Sequence, residues 1–87
     1  MTDITLYHTN TCPYCVQAER LFSRKGITAI NKLNIAQSEA LRDEMIARSG
    51  RRTVPQIFIN GQHIGGFDDL ARLEQGGDLN PLLGLTT

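Results

Sequence analysis

The sequence predicts an α/β fold in which a four-stranded mixed sheet carries helices on both faces. An apolar segment containing Ile4, Leu6 and Tyr7 precedes a segment of helical spacing and a second weak apolar alternation, which together predict a strand–helix–strand unit. Asn60-Gly61 separates two further short segments, as in a tight β-hairpin. Helical patterns stand before and after that hairpin, so both faces of the sheet would be covered.

The composition is typical of one small soluble domain. The 87 residues are 40% hydrophobic and 21% charged, with a formal net charge of zero, so we expect residues 1–87 to form a single domain around one core. Neither nucleic acid nor a membrane is expected as a partner, because the chain has no global positive charge and no long apolar segment. Residues 1–5 do not resemble a signal peptide, and a cytoplasmic monomer is the default expectation.

The first half of the chain predicts a parallel pair of strands joined by a helix. Pro13 suits the first position of a helix that runs to about Lys25, because its missing N–H has no partner to lose there. A second, weaker strand is expected around Ile30, Leu33 and Ile35, parallel to the first. The apolar residues that share one face of the helix are Val16, Ala18, Leu21 and Phe22.

The second half predicts a helix, a hairpin and another helix. Ser38 is expected to cap a helix that ends near Gly50, with its apolar stripe at Leu41, Met45 and Ile46. Residues 57–59 and 62–64 form the two strands of the hairpin, joined by a type I′ turn. We expect Asp68 or Asp69 to begin a third helix that ends at residues 76–77. Residues 81–83 should pack back on the surface, and residues 85–87 should fray.

Two cysteines flank a Pro-Tyr pair at the start of the first helix. Thr11 is expected to cap this helix, which leaves Cys12 beside unpaired backbone N–H groups and the positive end of the helix dipole. Both features favour a thiolate over a thiol, and Cys15 would lie close enough to Cys12 to form a disulfide. A thiolate so stabilised is also a good leaving group. A strand, a turn and a Cys-x-x-Cys helix are typical of thiol–disulfide exchange sites of the thioredoxin type. Tyr14, between the two sulfurs, is expected to touch a substrate.

Two other roles for the cysteines fit the sequence less well. A zinc site completed by His8 and His63 is disfavoured, because the two histidines are isolated from each other and form no second ligand pair; no metal is expected. A purely structural disulfide is disfavoured as well, because closing so small a loop stabilises the fold little.

Three motifs, in this order, make the chain resemble the dithiol glutaredoxins, and in particular their short bacterial type. The resemblance extends over residues 6–83. It implies the thioredoxin fold with strand order 2-1-3-4 and three flanking helices, a cis Val54–Pro55 bond, and a groove for glutathione beside Cys12. The motifs are Cys12-Pro13-Tyr14-Cys15, Thr53-Val54-Pro55 and Gly65-Gly66-Phe67-Asp68-Asp69.

The resemblance also implies which residues bind glutathione as a co-substrate. The backbone of Val54 would pair with the glutathione cysteine as an added strand does. The γ-glutamyl end would lie at the start of the third helix, where N–H groups take its carboxylate and Asp68 or Asp69 takes its ammonium. Arg42 matches the position that meets the glycyl carboxylate. The remaining contacts would come from Tyr14, Thr53, Pro55, Gly66 and Phe67.

One position departs from the family pattern. Many members carry a lysine three residues before the first cysteine, where this chain has Thr9 with His8 beside it. We therefore expect the helix N-terminus to supply most of the thiolate stabilisation. If His8 reaches the site, activity should depend on pH near neutrality.

The resemblance implies an enzyme that reduces disulfides with glutathione. Cys12 alone would reduce glutathione mixed disulfides, and Cys15 would be needed for protein disulfides, with ribonucleotide reductase as a candidate partner. A glutaredoxin-like thioredoxin served by thioredoxin reductase is an alternative that Tyr14 and the Asp68-Asp69 pair disfavour. An iron–sulfur carrier, with Cys12 of two chains holding a cluster, is a second alternative that Pro13 disfavours.

Overall fold

The computed structural model describes residues 2–85, which form one four-stranded sheet with helices on both faces. Four α-helices and one short 3-10 helix surround the strands. In chain order the elements are β1 (Ile4–His8), α1 (Pro13–Arg24), β2 (Asn31–Asn34), the 3-10 helix (Ile35–Gln37), α2 (Glu39–Ser49), β3 (Gln56–Ile59), β4 (Gln62–Gly65), α3 (Phe67–Gln75) and α4 (Leu79–Leu82).

The strand order is β2-β1-β3-β4, as the resemblance implied. β1 and β2 are parallel and are connected through α1, whereas β1 pairs with β3 and β3 with β4 in antiparallel fashion. Asn60 and Gly61 both have positive φ, 52° and 81°, which confirms the type I′ hairpin turn. No helix within residues 2–85 combines the length and the apolar character needed to cross a membrane.

The core consists of two clusters, one on each face of the sheet. The larger cluster packs α1, α3 and α4 against one face, and the smaller packs α2 against the other, so β1 and β3 are buried on both sides. The larger cluster contains Ile4, Leu6, Ala18, Leu21, Phe22, Ile57, Ile59, Leu70, Leu79 and Leu83. The smaller contains Tyr7, Ile35, Met45 and Phe58.

The structure corrects several predicted boundaries. β2 is limited to Asn31–Asn34, three of which are polar, and Ile35 instead opens the 3-10 helix, because the side chain of Asn34 accepts the N–H of Ala36 at 2.9 Å. The prediction of three helices omitted α4, which buries Leu79 in the larger cluster and packs Leu82 against it.

The ends of the chain differ from expectation in one further respect. Leu85 packs against the larger cluster, and its N–H donates to the carbonyl of Asn80 at 2.9 Å, so the prediction of fraying is wrong for this residue. The same prediction for Thr86 and Thr87 falls outside the described residues.

The sheet topology brings two distant segments together. β1 and β3 are antiparallel neighbours, with Tyr7 opposite Gln56, so the loop that leaves β1 lies beside the segment that enters β3. The first of these leads to α1 and its cysteines, and the second contains Val54 and Pro55. Ile57 lies opposite Gly65 across β3 and β4, which brings the start of α3 to the same edge.

Candidate active site

Cys12 and Cys15 form a disulfide at the start of α1. Their Cα atoms are 5.2 Å apart, and Cys12 is 8% exposed and Cys15 1% exposed. Cys12 is itself the N-cap residue, and its Sγ accepts the backbone N–H of Cys15 at 3.1 Å. The prediction that Thr11 caps the helix is therefore wrong, because the Cys12 sulfur already accepts the first-turn N–H of Cys15. The sulfur consequently lies within the field of the helix N-terminus.

The backbone of Val54 faces the same sulfur from the segment before β3. The Sγ of Cys12 lies 3.8 Å from the carbonyl oxygen of Val54. The Val54–Pro55 bond is cis, as the resemblance implied. Val54 is half-buried against the smaller core cluster, and Pro55 is buried. Side-chain packing therefore fixes the position of this backbone next to Cys12.

A groove of about 260 Å³ begins at these residues and extends to the start of α3. One wall is the segment that precedes β3, and the other is the first turn of α3. Tyr14 is 57% exposed and stacks on Phe67, with ring centroids 6.3 Å apart and an interplanar angle of 24°. The groove is lined by Tyr14, Arg51, Thr53, Val54, Pro55, Gln56, Gly66, Phe67, Asp68 and Asp69.

Chemistry rather than size identifies this groove as the candidate site. A larger cavity of about 410 Å³ lies along α1 and β2, but no residue of the three motifs lines it. The smaller groove contains residues from all three motifs that the sequence analysis singled out. The fold thus brings together nearly every residue predicted for glutathione.

Asp69 carries a negative charge at the α3 end of the groove. Its Oδ2 accepts the N–H of Gly66 at 3.0 Å and a donor of Arg51 at 3.2 Å, and Arg72 lies 3.7 Å from Oδ1. The Gly66 hydrogen bond and the two guanidinium groups hold the pKa of Asp69 below its ordinary value, although partial burial opposes them. Asp69 is therefore ionised at neutral pH. By accepting the Gly66 N–H it also starts α3 at Phe67, one or two residues before the predicted start at Asp68 or Asp69.

Gln56 is a groove residue that the sequence analysis did not identify. Its Nε2 donates to the carbonyl of Thr53 at 3.0 Å and to the hydroxyl of Thr53 at 3.3 Å. Its Oε1 lies 2.8 Å from Nε2 of His63, and because an amide oxygen only accepts, that ring nitrogen must carry a proton. Burial, and then the charge of Arg51, lower the pKa of His63, which favours a neutral ring. The sequence does offer one signal for Gln56, because it is the only polar residue in the strand Gln56–Ile59. In the structure its side chain is buried, with 1% exposed.

Three of the residues discussed from the sequence lie outside the groove. Arg42 is exposed on α2, and its role in binding glutathione stays a prediction. His8 is half-buried at the end of β1, with Nδ1 3.4 Å from the carbonyl of Thr9. His63 lies on β4, which is two strands from β1 in the sheet, and its Nε2 contacts Gln56. Among residues 2–85 no three His, Cys, Asp or Glu side chains form a group that could hold a metal.

Comparison with known proteins gives relatives that match almost the whole chain. The family model described as glutaredoxin matches residues 4–64. Glutaredoxin 3 of Escherichia coli K12 is 53% identical over 83 residues, which cover 95% of this chain and 99% of the relative. The solution structure of glutaredoxin from Brucella melitensis has a TM-score of 0.82 at 47% identity. The match covers 95% of this chain and 89% of the Brucella chain.

A crystal structure of a buckwheat glutaredoxin–glutathione complex is similar as well, with a TM-score of 0.86 at 29% identity, covering 95% of this chain and 77% of that one. These neighbours confirm the thioredoxin-like fold. Glutaredoxins are glutathione-dependent thiol–disulfide oxidoreductases, and the Cys12–Cys15 pair supplies the redox-active disulfide that such an enzyme needs. The chain therefore belongs to the glutaredoxin family and is a dithiol, glutathione-dependent disulfide oxidoreductase.

Proposed function

We propose that the protein reduces glutathione mixed disulfides through Cys12 alone and protein disulfides through Cys12 together with Cys15. The observation that carries this proposal is the position of Cys12 Sγ. It accepts the N–H of Cys15 at the N-terminus of α1 and faces the Val54 backbone at the edge of the groove. Cys15 is buried behind it, so an incoming disulfide meets Cys12 first.

The first reaction consists of two exchanges at Cys12. Its thiolate attacks the glutathionyl sulfur, a Cys12–glutathione disulfide forms, and the substrate thiolate leaves and takes a proton from solvent. A second glutathione thiolate then attacks the sulfur of the bound glutathione, which releases Cys12 as a thiolate and forms glutathione disulfide. The Cys15 N–H and the helix dipole stabilise the departing Cys12 thiolate, and a stabilised thiolate leaves faster.

The second reaction needs both cysteines. With a protein disulfide, Cys12 forms a mixed disulfide with one sulfur of the protein. Cys15 then attacks Cys12, which releases the reduced protein and leaves the Cys12–Cys15 disulfide for glutathione to reduce. The two Cα atoms are 5.2 Å apart, within the range that a disulfide requires without backbone movement. Ribonucleotide reductase is our candidate protein substrate, and we propose that the enzyme works as a cytoplasmic monomer.

Glutathione would lie in the groove with its cysteine beside Cys12. In this arrangement the N–H and C=O of Val54 pair with the backbone of that cysteine, as a strand is added to a sheet. Thr53 and Pro55 form one wall of the groove, and the stacked rings of Tyr14 and Phe67 form part of the other.

The two ends of the tripeptide carry its charges. The γ-glutamyl end would lie at Gly66, where first-turn N–H groups take its carboxylate and Asp68 or Asp69 takes its ammonium. The glycyl carboxylate would meet Arg42 on α2.

The division of labour between the cysteines is tested by two serine variants. In a coupled assay with glutathione, Cys12→Ser should abolish reduction of both a small glutathione mixed disulfide and a protein disulfide. Cys15→Ser should keep most of the first activity and lose the second by about tenfold or more, because no resolving thiol remains. Equal loss of both activities in Cys15→Ser would contradict the proposal.

A further inference from the structure

Arg51 reaches across the groove from one wall to the other. It belongs to the segment between α2 and β3, whereas its partner Asp69 belongs to the first turn of α3. The Nη1–Oδ2 distance is 3.2 Å, and the Arg51 side chain is 50% exposed. A cation and an anion therefore stand side by side in the lining of the groove.

We propose that Arg51 determines specificity by binding the α-carboxylate of the γ-glutamyl end of glutathione while Asp69 binds the neighbouring ammonium. This inference rests on the proposed function and adds a residue to it. An amino-acid zwitterion presents the two charges on groups attached to one carbon. The Arg51–Asp69 pair presents the complementary charges at hydrogen-bond distance. A guanidinium group has five donors, and the contact with Asp69 uses one of them.

The exchange of partners keeps every charge paired. In the structure Arg51 and Asp69 neutralise each other, and Gly66 donates a further hydrogen bond to Asp69. When the zwitterion binds, its carboxylate accepts from Arg51 and its ammonium donates to Asp69, so one ion pair becomes two. A ligand with only the carboxylate would draw Arg51 from Asp69 and leave Asp69 with only the more distant Arg72. A ligand with only the ammonium would compete with Arg51 for Asp69.

Arg72 provides a matched control for this role. It carries the same charge and approaches the same carboxylate, with Nη1 3.7 Å from Oδ1 of Asp69. Its side chain is 78% exposed, however, and it lines a different cavity, between β4 and α3. Removing Arg72 changes the charge near Asp69 without removing a group from the groove.

The test uses three tripeptides that differ only in the charges at the γ-glutamyl position. They are glutathione, glutaryl-cysteinylglycine, which lacks the ammonium, and 4-aminobutyryl-cysteinylglycine, which lacks the carboxylate. Each is prepared as its mixed disulfide with thionitrobenzoate. Attack by the reduced protein on the peptide sulfur forms the Cys12–peptide disulfide and releases thionitrobenzoate, whose absorbance gives a second-order rate constant.

Arg51→Leu should lower this rate constant about three- to tenfold for the two peptides that carry the carboxylate, the range expected for a half-exposed ion pair. The 4-aminobutyryl peptide should react at an unchanged or higher rate. The rate constant of Arg51→Lys should lie between those of Arg51→Leu and the wild type. Lysine keeps the positive charge but lacks the two parallel N–H donors that a guanidinium group offers a carboxylate. Arg72→Leu should stay within about twofold of the wild type for all three peptides.

Other results would overturn the inference. They are an equal fall for all three peptides in Arg51→Leu, no fall for glutathione, or the same pattern in Arg72→Leu. Failure of the proposed glutathione-dependent activity would give a different result. The wild type itself would then react with the glutathione–thionitrobenzoate mixed disulfide no faster than free cysteine does.

Discussion

Replacing Gln56 with leucine should impair the use of glutathione more than it impairs folding. Gln56 is almost fully buried and connects His63 on β4 to Thr53, which lines the groove. Leucine has a similar volume, so the substitution removes the hydrogen bonds without creating a large cavity. Thr53 and the backbone that follows it then lose the contact that fixes their position relative to Cys12.

The size of both effects follows from the contacts. The amide makes three hydrogen bonds, each contributing about 1 kcal/mol net, but Thr53 is exposed and can bind water instead, and buried leucine returns part of the loss. We expect the free energy of unfolding to fall by about 1–2 kcal/mol, which lowers Tm by about 4–16 °C in a domain of this size. The rate with a glutathione mixed disulfide should fall about tenfold, because small displacements of binding groups slow a positioned reaction strongly.

Two measurements separate these effects. Urea unfolding gives the stability of Gln56→Leu, and release of thiol from a glutathione mixed disulfide, at a temperature where the variant is folded, gives its rate. Gln62→Leu is the control, because Gln62 is an exposed glutamine in the same hairpin that does not line the groove. A variant that lost stability but reacted at the wild-type rate would refute the argument, since Gln56 would then serve packing alone.

Three further predictions concern residues around the core and the groove. Tyr7→Phe should lower the free energy of unfolding in urea by about 1–2 kcal/mol, because the Tyr7 hydroxyl bonds to Glu44 at 2.5 Å and to Arg48 at 2.8 Å. The folded-state pKa of Asp69 lies below its ordinary 3.8, so its charge stabilises the fold above that pH and the contribution is lost as the pH falls through the folded pKa. Asp69→Asn should therefore show a smaller loss of stability than the wild type when urea titrations are repeated from about pH 5 downward. Gly65→Ala should destabilise the fold by about 2 kcal/mol or more in the same assay and slow the reaction with glutathione disulfides, because φ is +121° and a Cβ would stand 2.7 Å from the Asp69 Cγ.

The strands and helices were largely predictable because their signals are local. Pro13 at the start of α1, Ser38 as the cap of α2 and Asn60-Gly61 in the hairpin each depend on the conformational preferences of one or two residues. β2 lies within its predicted span but is shorter at both ends, because three of its four residues are polar and its pairing with β1 at the edge of the sheet defines its limits. α4 was missed because a four-residue helix is specified by the burial of Leu79 and not by periodicity.

The parts of the site whose chemistry depends on residue type could be predicted from the sequence. The parts that depend on contacts between distant segments could not. The cysteines and the three motifs were visible in the sequence, and the fold brings them together. The role of Cys12 as its own helix cap could not be predicted, because Thr11 is the better capping residue by type. The Gln56–His63 contact and the reach of Arg51 to Asp69 depend on the pairing of β3 with β4 and on the direction of α3, which no local pattern specifies.

The reacting sulfurs and the groove that selects glutathione come from separate segments, which leads to a last prediction. Cys15 lies on α1 in the core, whereas Arg51 precedes β3 and contacts Asp69 on α3, so the two share no partner among the hydrogen bonds and ion pairs of the described residues. Substitutions at sites without shared partners usually add within about 0.5 kcal/mol, or about twofold in rate. In the reaction with a glutathione mixed disulfide, the factor lost through Arg51→Leu should therefore be the same, within about twofold, in the wild type and in Cys15→Ser. A much larger or smaller factor in the Cys15→Ser background would mean that Arg51 acts on the cysteines themselves, and that binding and sulfur chemistry are not separable in this enzyme.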